Sequence, residues 1–249
     1  MVNDLLPSSN VAALFLRSNV LTKDRQAKGG RRDGTRFSYG GSNMPKIQPA
    51  RSTVHINRHQ AENICHAFDF AKHIGRPLNT YVVINLHEAS ANAAASVIFE
   101  RIRHKYRDWL KGRVKRLALD AQPPVYVYAH ENPDENPHGN WVVHVPPRLQ
   151  KEFLLKLRQW VEKAQGGVRP FDIQVKGVDP HTDKTLAKYI IKGTDPHYVP
   201  YLHLQDFAQP QGRVFGRRAT PSIAIGRAAR KSAGFIPRLH RHLWKRQAA

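Results

Sequence analysis

The sequence contains a single cysteine, Cys65, among its 249 residues, which excludes an internal disulfide and any zinc site built from several cysteines. Such sparse cysteine is typical of a reducing compartment. No window approaches the ~18 apolar residues of a membrane span. The first residues carry no basic segment ahead of their short apolar run, so they do not predict a secretory signal. We therefore expect a cytoplasmic protein with no membrane partner.

Acidic residues are scarce as well. The chain has 19 Asp and Glu against 40 Lys and Arg, a formal net charge of +21, and no acidic residue follows Asp206. So large a charge repels itself in a compact state unless a polyanion offsets it. An anionic membrane surface is one candidate, but it usually needs an amphipathic basic helix or a lipid anchor. The composition predicts a nucleic-acid-binding protein.

The basic residues are concentrated at the two ends of the chain, which differ in composition from its middle. Residues 1–51, rich in glycine and serine, are interpreted as a flexible arm that either contacts phosphates or only aids solubility. Residues 52–206 have the pattern of a globular domain, and residues 207–249 are interpreted as a basic extension. The basic residues expected to contact nucleic acid are Arg31, Arg32, Arg36, Arg217, Arg218, Arg227, Arg230 and Lys231.

The middle of the chain alternates helical and strand patterns. Helices are predicted over residues 58–73, 91–117, 148–164 and 179–193, and strands over 80–86, 125–131, 141–145 and 171–178. The two central strands are joined by a hairpin-length loop, so at least part of the sheet is antiparallel. The order predicts an α+β fold of the split-βαβ type, with a central antiparallel sheet and helices mainly on one face.

One strand carries residues suited to binding a metal. Side chains alternate along a strand, so His138, Asn140 and His144 share one face, and Trp141 is expected to pack beneath the sheet. Imidazole and amide groups on a common face can coordinate a divalent ion and leave a position for a phosphate oxygen. The alternative is a hydrogen-bonded structural histidine. Further oxygen ligands could come from the acidic residues just upstream: Glu131, Asp134 and Glu135.

The last predicted helix carries Tyr189 and Lys192, which lie on one helix face at i and i+3. A tyrosine hydroxyl can act as a nucleophile toward phosphorus, and a neighbouring ammonium can offset the developing phosphate charge. A buried tyrosine beside a lysine whose stem packs on it is the structural alternative.

The metal-type strand and the helix with Tyr189 and Lys192 together are a more specific signal than either feature alone. A metal-type strand, a helix, a strand and a helix bearing Tyr-x-x-Lys resemble the HUH endonucleases, the single-tyrosine replication initiators and relaxases of plasmids and phages. The blocks that carry the resemblance are YVYAHENP, the histidine strand ending in HVPP, and YIIKGTDP. The stretch that matches the family runs from about Tyr81 to Gly193, which is under half of the chain.

The resemblance implies a fold and a mechanism. The fold is an antiparallel sheet flanked by helices, and the substrate is single-stranded DNA or a DNA hairpin. Mg²⁺ or Mn²⁺, held by His138 and the residue at position 140, polarises the scissile phosphate. Tyr189 attacks to give a 5′-phosphotyrosine and a free 3′ hydroxyl, and Lys192 orients the substrate or offsets charge. No small-molecule cofactor is implied, and because no helicase motif is visible, unwinding would come from a host helicase.

The sequence departs from the family pattern at its metal-binding strand. The family has histidine, a bulky apolar residue and histidine, whereas this chain has His138, Gly139 and Asn140. An amide oxygen is a weaker, neutral ligand that Mg²⁺ or Mn²⁺ accepts. His144 lies about 13 Å farther along the strand and cannot replace Asn140. The alternatives are therefore a catalytically inactive relative that binds single strands or hairpins, and an RNA-binding or ribosome-associated protein, which explains the charge but not the motifs.

Overall fold

The structure is a computed structural model that describes residues 51–86, 92–117, 123–179 and 183–237. Arg31, Arg32 and Arg36, on the predicted arm, lie outside the described residues. The α-helices are α1 (Arg58–His73), α2 (Asn92–Arg116), α3 (Gln150–Gln165), α4 (Asp183–Ile190) and α5 (Arg227–Ser232). The strands are β1 (Ser52–Thr53), β2 (Thr80–Asn85), β3 (Tyr126–Glu131), β4 (His138–Val143), β5 (Ile173–Gly177), β6 (Val214–Phe215) and β7 (Ala219–Pro221). Short 3-10 turns occupy Pro133–Glu135, Pro147–Leu149, Pro196–Tyr198 and Ile223–Ile225.

The main sheet has five strands in the order β5-β2-β4-β3-β7, and every neighbouring pair is antiparallel. The run β2-α2-β3-β4-α3-β5 places β4 between β2 and β3, which makes two interleaved βαβ units. This arrangement confirms the predicted α+β class. A second, two-stranded sheet pairs β1 with β6.

Helices α2 and α3 cover one face of the main sheet and form the larger apolar core with it. Trp141 is fully buried there, as its strand position predicts. Its ring meets the aromatic rings of Phe99 and Tyr106 from α2 and Phe153 from α3 edge-on, with centroids 5.1 to 6.0 Å apart. Such a cluster combines large apolar burial with favourable aromatic geometry, and truncation of one member typically costs about 3–5 kcal/mol.

Helices α1 and α4 pack on each other and cover the opposite face, so the prediction that helices lie mainly on one face is wrong. The reason is visible in β4, whose six residues are all buried and which therefore needs cover on both faces. Helix α1 begins with a capping box, because the Asn57 side chain accepts from Gln60 N at 2.9 Å and the Gln60 side chain accepts from Asn57 N at 3.2 Å.

The predicted boundary at residue 206 is also wrong, because strands between residues 207 and 237 belong to the same fold. Strand β7 pairs with β3, and β6 pairs with β1. Without β7, strand β3 would present an unpaired edge of N–H and C=O groups. Backbone hydrogen bonds attach this segment to the rest of the fold, so the segment needs few apolar side chains.

Two of the arginines expected to contact nucleic acid are instead buried against backbone carbonyls. Arg218 is 1% exposed, and its guanidinium donates to Thr53 O at 2.7 Å and to the Gly212 carbonyl. Arg230 donates to Ile225 O at 2.6 Å. Their donors therefore serve the fold in this structure. The side chains of Arg217, Arg227 and Lys231 are exposed.

Among the described helices, none combines the length and apolarity needed to cross a membrane. Helix α2 has 25 residues, but Lys and Arg recur along it.

Replacement of Arg218 by alanine tests the role of the segment after residue 206. It leaves buried carbonyls without donors, so we expect the free energy of unfolding to fall by about 2–4 kcal/mol. The exposed neighbour provides the matched control, and Arg217→Ala should change stability by less than about 0.5 kcal/mol. Urea unfolding followed by circular dichroism measures both, and equal effects of the two changes would contradict a structural role for Arg218.

Candidate active site

Strand alternation and register bring polar side chains from three neighbouring strands to the sheet face that α1 and α4 cover. Glu131 on β3 lies opposite His138 on β4, and Asn140 follows two residues later on the same face. Tyr81 on β2 also points to this face, and the C-terminal end of α4 adds two more side chains from above. The six members of this cluster are all at most 9% exposed: Tyr81, Glu131, His138, Asn140, Tyr189 and Lys192.

The Glu131 carboxylate lies at the centre of the cluster. Its Oε2 atom is 2.9 Å from His138 Nε2 and 2.9 Å from Lys192 Nζ. Burial alone would raise the pKa of Glu131, but the Lys192 ammonium and the hydrogen bond from His138 outweigh it and hold that pKa below its usual value. Burial likewise opposes the charge on Lys192, and Glu131 raises the Lys192 pKa above its usual value. The two residues form a buried ion pair.

The His138 ring is fixed from both sides. Its Nδ1 atom is 3.1 Å from the Asn136 carbonyl oxygen, and its Nε2 atom faces Glu131. Both partners are acceptors, so both contacts are hydrogen bonds at once when the ring carries two protons. A bond from Nδ1–H to a backbone carbonyl is also the usual way in which a protein orients a histidine that binds a metal through Nε2.

Asn140 is held by a residue that sequence reasoning missed. The Tyr81 hydroxyl donates a hydrogen bond to Asn140 Oδ1. Among the described residues, neither Asn140 Nδ2 nor Glu131 Oε1 has a hydrogen-bond partner, although both are buried. Burying unpaired polar atoms costs free energy, so a bound ligand or water that pairs with these two atoms would be favoured. Only the register between β2 and β4 reveals Tyr81, and the sequence alone does not give that register.

Tyr189 lies at the end of α4, where the chain turns so that Lys192 N donates to Tyr189 O at 3.2 Å. The turn places Lys192 Nζ 3.9 Å from the centroid of the Tyr189 ring, a cation–π contact. The ring also meets Tyr81 edge-on at 6.3 Å, and the two tyrosine side chains share a hydrogen bond. Burial, and then Tyr189, raises the pKa of Tyr81 well above its usual value, so Tyr81 stays protonated.

Within the described ranges, no group of three His, Cys, Asp or Glu side chains could hold a metal ion. A mixed set of His138, Glu131 and the Asn140 amide is the part of the cluster whose donor chemistry is compatible with a divalent ion. His138 Nε2 and Glu131 Oε2 are 2.9 Å apart. Adjacent octahedral ligands of Mg²⁺, with bonds of about 2.1 Å, are separated by about 3 Å. The separation of the two atoms therefore suits adjacent ligands of one ion, provided that the imidazole turns so that its Nε2 lone pair points at the ion and no longer at Oε2.

Gly139 departs from the family pattern for a steric reason. It points to the opposite face of the sheet, where a Cβ atom would lie 3.2 Å from Phe99 Cδ2 and 3.3 Å from Phe99 Cε2. The Phe99 ring, contributed by α2, thus fills the space that a bulky residue at position 139 would need. The glycine is part of the packing of the core and leaves the direction of His138 and Asn140 unchanged.

Three other candidate ligands lie away from the cluster. His144 follows the end of β4, and its Nδ1 atom is 2.7 Å from the Pro77 carbonyl oxygen. Asp134 and Glu135 are exposed on the Pro133–Glu135 turn. Of the upstream acids, only Glu131 reaches the cluster.

Comparison with known proteins identifies no relative: no family model matches the sequence, no curated protein matches it, and no solved structure matches the fold.

An exchange of volume between Gly139 and Phe99 tests the packing beneath the site. Gly139→Leu overpacks the core and should cost about 1–3 kcal/mol, and Phe99→Ala should cost about 3–5 kcal/mol. In the double variant the new leucine enters the space left by the ring, so its loss should be smaller than the sum by about 1 kcal/mol or more. Denaturant unfolding of the four proteins gives the coupling, and additive losses would show that the two residues do not compete for one volume.

Proposed function

We propose that this protein is an HUH-type replication-initiator-like endonuclease that nicks single-stranded DNA through Tyr189. The observation that carries the proposal is the clustering of a phenol, an ammonium group and a metal-compatible donor set. Tyr189 and Lys192 come from a helix end, whereas His138, Glu131 and Asn140 come from two strands, yet their side chains form one connected group. A purely structural tyrosine would not need such surroundings.

In the proposed reaction, Tyr189 Oη attacks the scissile phosphorus. The new bond joins the tyrosine oxygen to the 5′ phosphate, and the bond from phosphorus to the 3′ oxygen breaks. The phenol loses one proton and the departing 3′ oxygen gains one, so no net proton is consumed. The covalent intermediate conserves the energy of the phosphodiester, so that the strand can be rejoined.

Two neighbours assist Tyr189. The Lys192 ammonium, next to the Tyr189 ring, offsets negative charge on the phosphate as the new bond forms. The hydrogen bond between the tyrosine side chains lets Tyr81 orient the Tyr189 hydroxyl. Because burial raises the pKa of Tyr81, its hydroxyl remains a donor and does not compete as the nucleophile.

The donor set of His138 Nε2, Glu131 and Asn140 Oδ1 would hold Mg²⁺ or Mn²⁺, which supplies polarisation of the scissile phosphate when bound. The protein's own part is to restrain the imidazole and the amide. The Asn136 carbonyl orients the imidazole, and the Tyr81 hydroxyl restrains the amide. The amide can bind a metal through Oδ1 after a half-turn, in which Nδ2 donates to the tyrosine oxygen.

The proposed substrate, single-stranded DNA, follows from the positive net charge of the protein. The excess of basic residues favours a single strand or hairpin, and exposed Arg217, Arg227 and Lys231 lie on the segment that completes the fold. The proposed setting is the cytoplasm, with unwinding supplied by a separate host helicase.

A catalytically inactive nucleic-acid-binding protein on the same fold is the second candidate. The observation that favours it is that His138 and Lys192 already pair with the Glu131 carboxylate, together with the burial of Tyr189, which is 8% exposed. In that case the cluster would stabilise the junction between the sheet and α4, and the basic surface would carry the function.

Replacement of Tyr189 by phenylalanine separates the two candidates. Wild-type protein incubated with labelled single-stranded oligonucleotides and Mn²⁺ should form a covalent adduct that survives a denaturing gel. The adduct should fall below detection with Tyr189→Phe, because the nucleophilic oxygen is absent. Tyr201→Phe, at a half-exposed tyrosine, should leave the yield unchanged. An adduct that persists in Tyr189→Phe, or is absent from wild type on oligonucleotides drawn from the protein's own genetic neighbourhood, would refute the nicking proposal.

The salt dependence of single-strand binding tests the proposed DNA-contacting residues. If Arg217, Arg227 and Lys231 each contact one phosphate, replacing all three by alanine should make the slope of log K against log salt shallower by about 2. The control removes the same charge from exposed residues of α3, on the other face of the sheet: Lys151, Arg158 and Lys163. Fluorescence anisotropy at several salt concentrations gives both slopes. Equal slopes for the two triple variants would refute the assignment.

A further inference from the structure

One oxygen atom in the candidate site serves two purposes that exclude each other. Glu131 Oε2 accepts from Lys192 Nζ and faces His138 Nε2, both at 2.9 Å. The same oxygen and the same imidazole nitrogen are the atoms that fit a divalent metal. A metal bound to Oε2 at about 2 Å would lie close to the ammonium, and like charges at such distances in a buried site repel strongly.

The burial of Lys192 makes this competition severe. Its side chain is 2% exposed, so neither water nor salt screens the ammonium from a second cation. Its position depends on Glu131 on one side and the Tyr189 ring on the other. If a metal takes over neutralisation of the carboxylate, the ion pair no longer holds Lys192, and the cation–π contact with Tyr189 remains.

We propose that Lys192 is an internal counter-cation that occupies the metal site in the metal-free protein, and that a divalent ion displaces it from Glu131. The inference rests on the metal site of the proposed function and adds a role that the nicking reaction itself does not require. Displacement moves the ammonium from the carboxylate toward Tyr189, where a scissile phosphate would be bound. Binding of the metal would therefore complete the metal site and, in the same step, release Lys192 toward the substrate.

The coupling predicts that loss of the Lys192 charge tightens metal binding. Lys192→Met removes the competing cation and leaves the buried Glu131 carboxylate without its ammonium partner, with only His138 beside it, and both effects favour the metal-bound form. We expect its dissociation constant for Mn²⁺, measured by calorimetry or by the electron paramagnetic resonance signal of free Mn²⁺, to be at least tenfold lower than that of wild type. Lys184→Met, an exposed lysine on the same helix, should bind Mn²⁺ as wild type does, and Lys192→Arg should not gain affinity.

A second measurement uses the wild-type protein and so does not depend on the folding of Lys192→Met, which lacks the ammonium beside the buried Glu131 carboxylate. Amine acylation mapped by mass spectrometry should modify Lys192 slowly in the metal-free protein and at least tenfold faster with Mn²⁺, whereas Lys184 should react equally in both states. The proposal is overturned if Mn²⁺ binding is lost in Glu131→Gln yet no tighter in Lys192→Met, or if Lys192 acylation ignores the metal. Mn²⁺ binding that is unaffected by Glu131→Gln would instead contradict the metal site, and adduct formation by Tyr189 tests the nicking function separately.

Discussion

The structure of the site depends on keeping one buried carboxylate charged. An isolated ionised carboxylate is very costly to bury, so Glu131 needs cationic or donor partners on the inner face of the sheet. His138 supplies one from the neighbouring strand, and Lys192 supplies the other from the end of α4. The ion pair between Lys192 and Glu131 holds the end of α4 against the sheet, and the Tyr189 phenol therefore lies beside the same charges. The geometry that would serve phosphate chemistry is thus also the geometry that satisfies electrostatics.

Lys192 is held in place partly by residues after position 206, a part of the chain with few apolar side chains. Lys192 O accepts from Gln209 N at 3.1 Å, and Gly193 O accepts from Ile56 N at 2.9 Å. A Cβ atom at Gly193 would lie 2.9 Å from Gln211 Cγ, so only glycine allows this close approach. Arg218 ties the carbonyls of Thr53 and Gly212 together. Residues beyond the predicted boundary at residue 206 therefore support the site together with the first residues of the predicted domain, mainly through hydrogen bonds to backbone groups.

This division explains what the sequence could predict. Helix periodicity located α1, α2, α3 and α4, and strand parity placed Trp141 in the core and His138 with Asn140 on the other face. Both signals are local, because they depend only on the spacing of residues along one segment of the chain. The attachment of β7 and the partnership of Tyr81 with Asn140 are contacts between distant parts of the chain, made by backbone groups and one hydroxyl. Hydrophobic pattern does not record such contacts, so the boundary at residue 206 was misplaced and Tyr81 was missed.

Strand β4 compensates for each of its differences from the pattern of the proposed family. A missing bulky side chain ordinarily leaves a cavity, yet the Phe99 ring fills the space beside Gly139. A buried amide in place of an imidazole ordinarily lacks a partner for its oxygen, yet Tyr81 donates to Asn140 Oδ1. Strand β4 is therefore well packed, and its ability to bind a metal depends on the orientation of the Asn140 amide. With Oδ1 toward Tyr81, the amide has only its NH₂ group left to offer, and this group cannot bind a cation, whereas the reversed amide keeps a bond to the tyrosine oxygen and offers Oδ1 to a metal. Because Tyr81 can act as donor or acceptor, the reversal costs no hydrogen bond, and a bound cation would favour it.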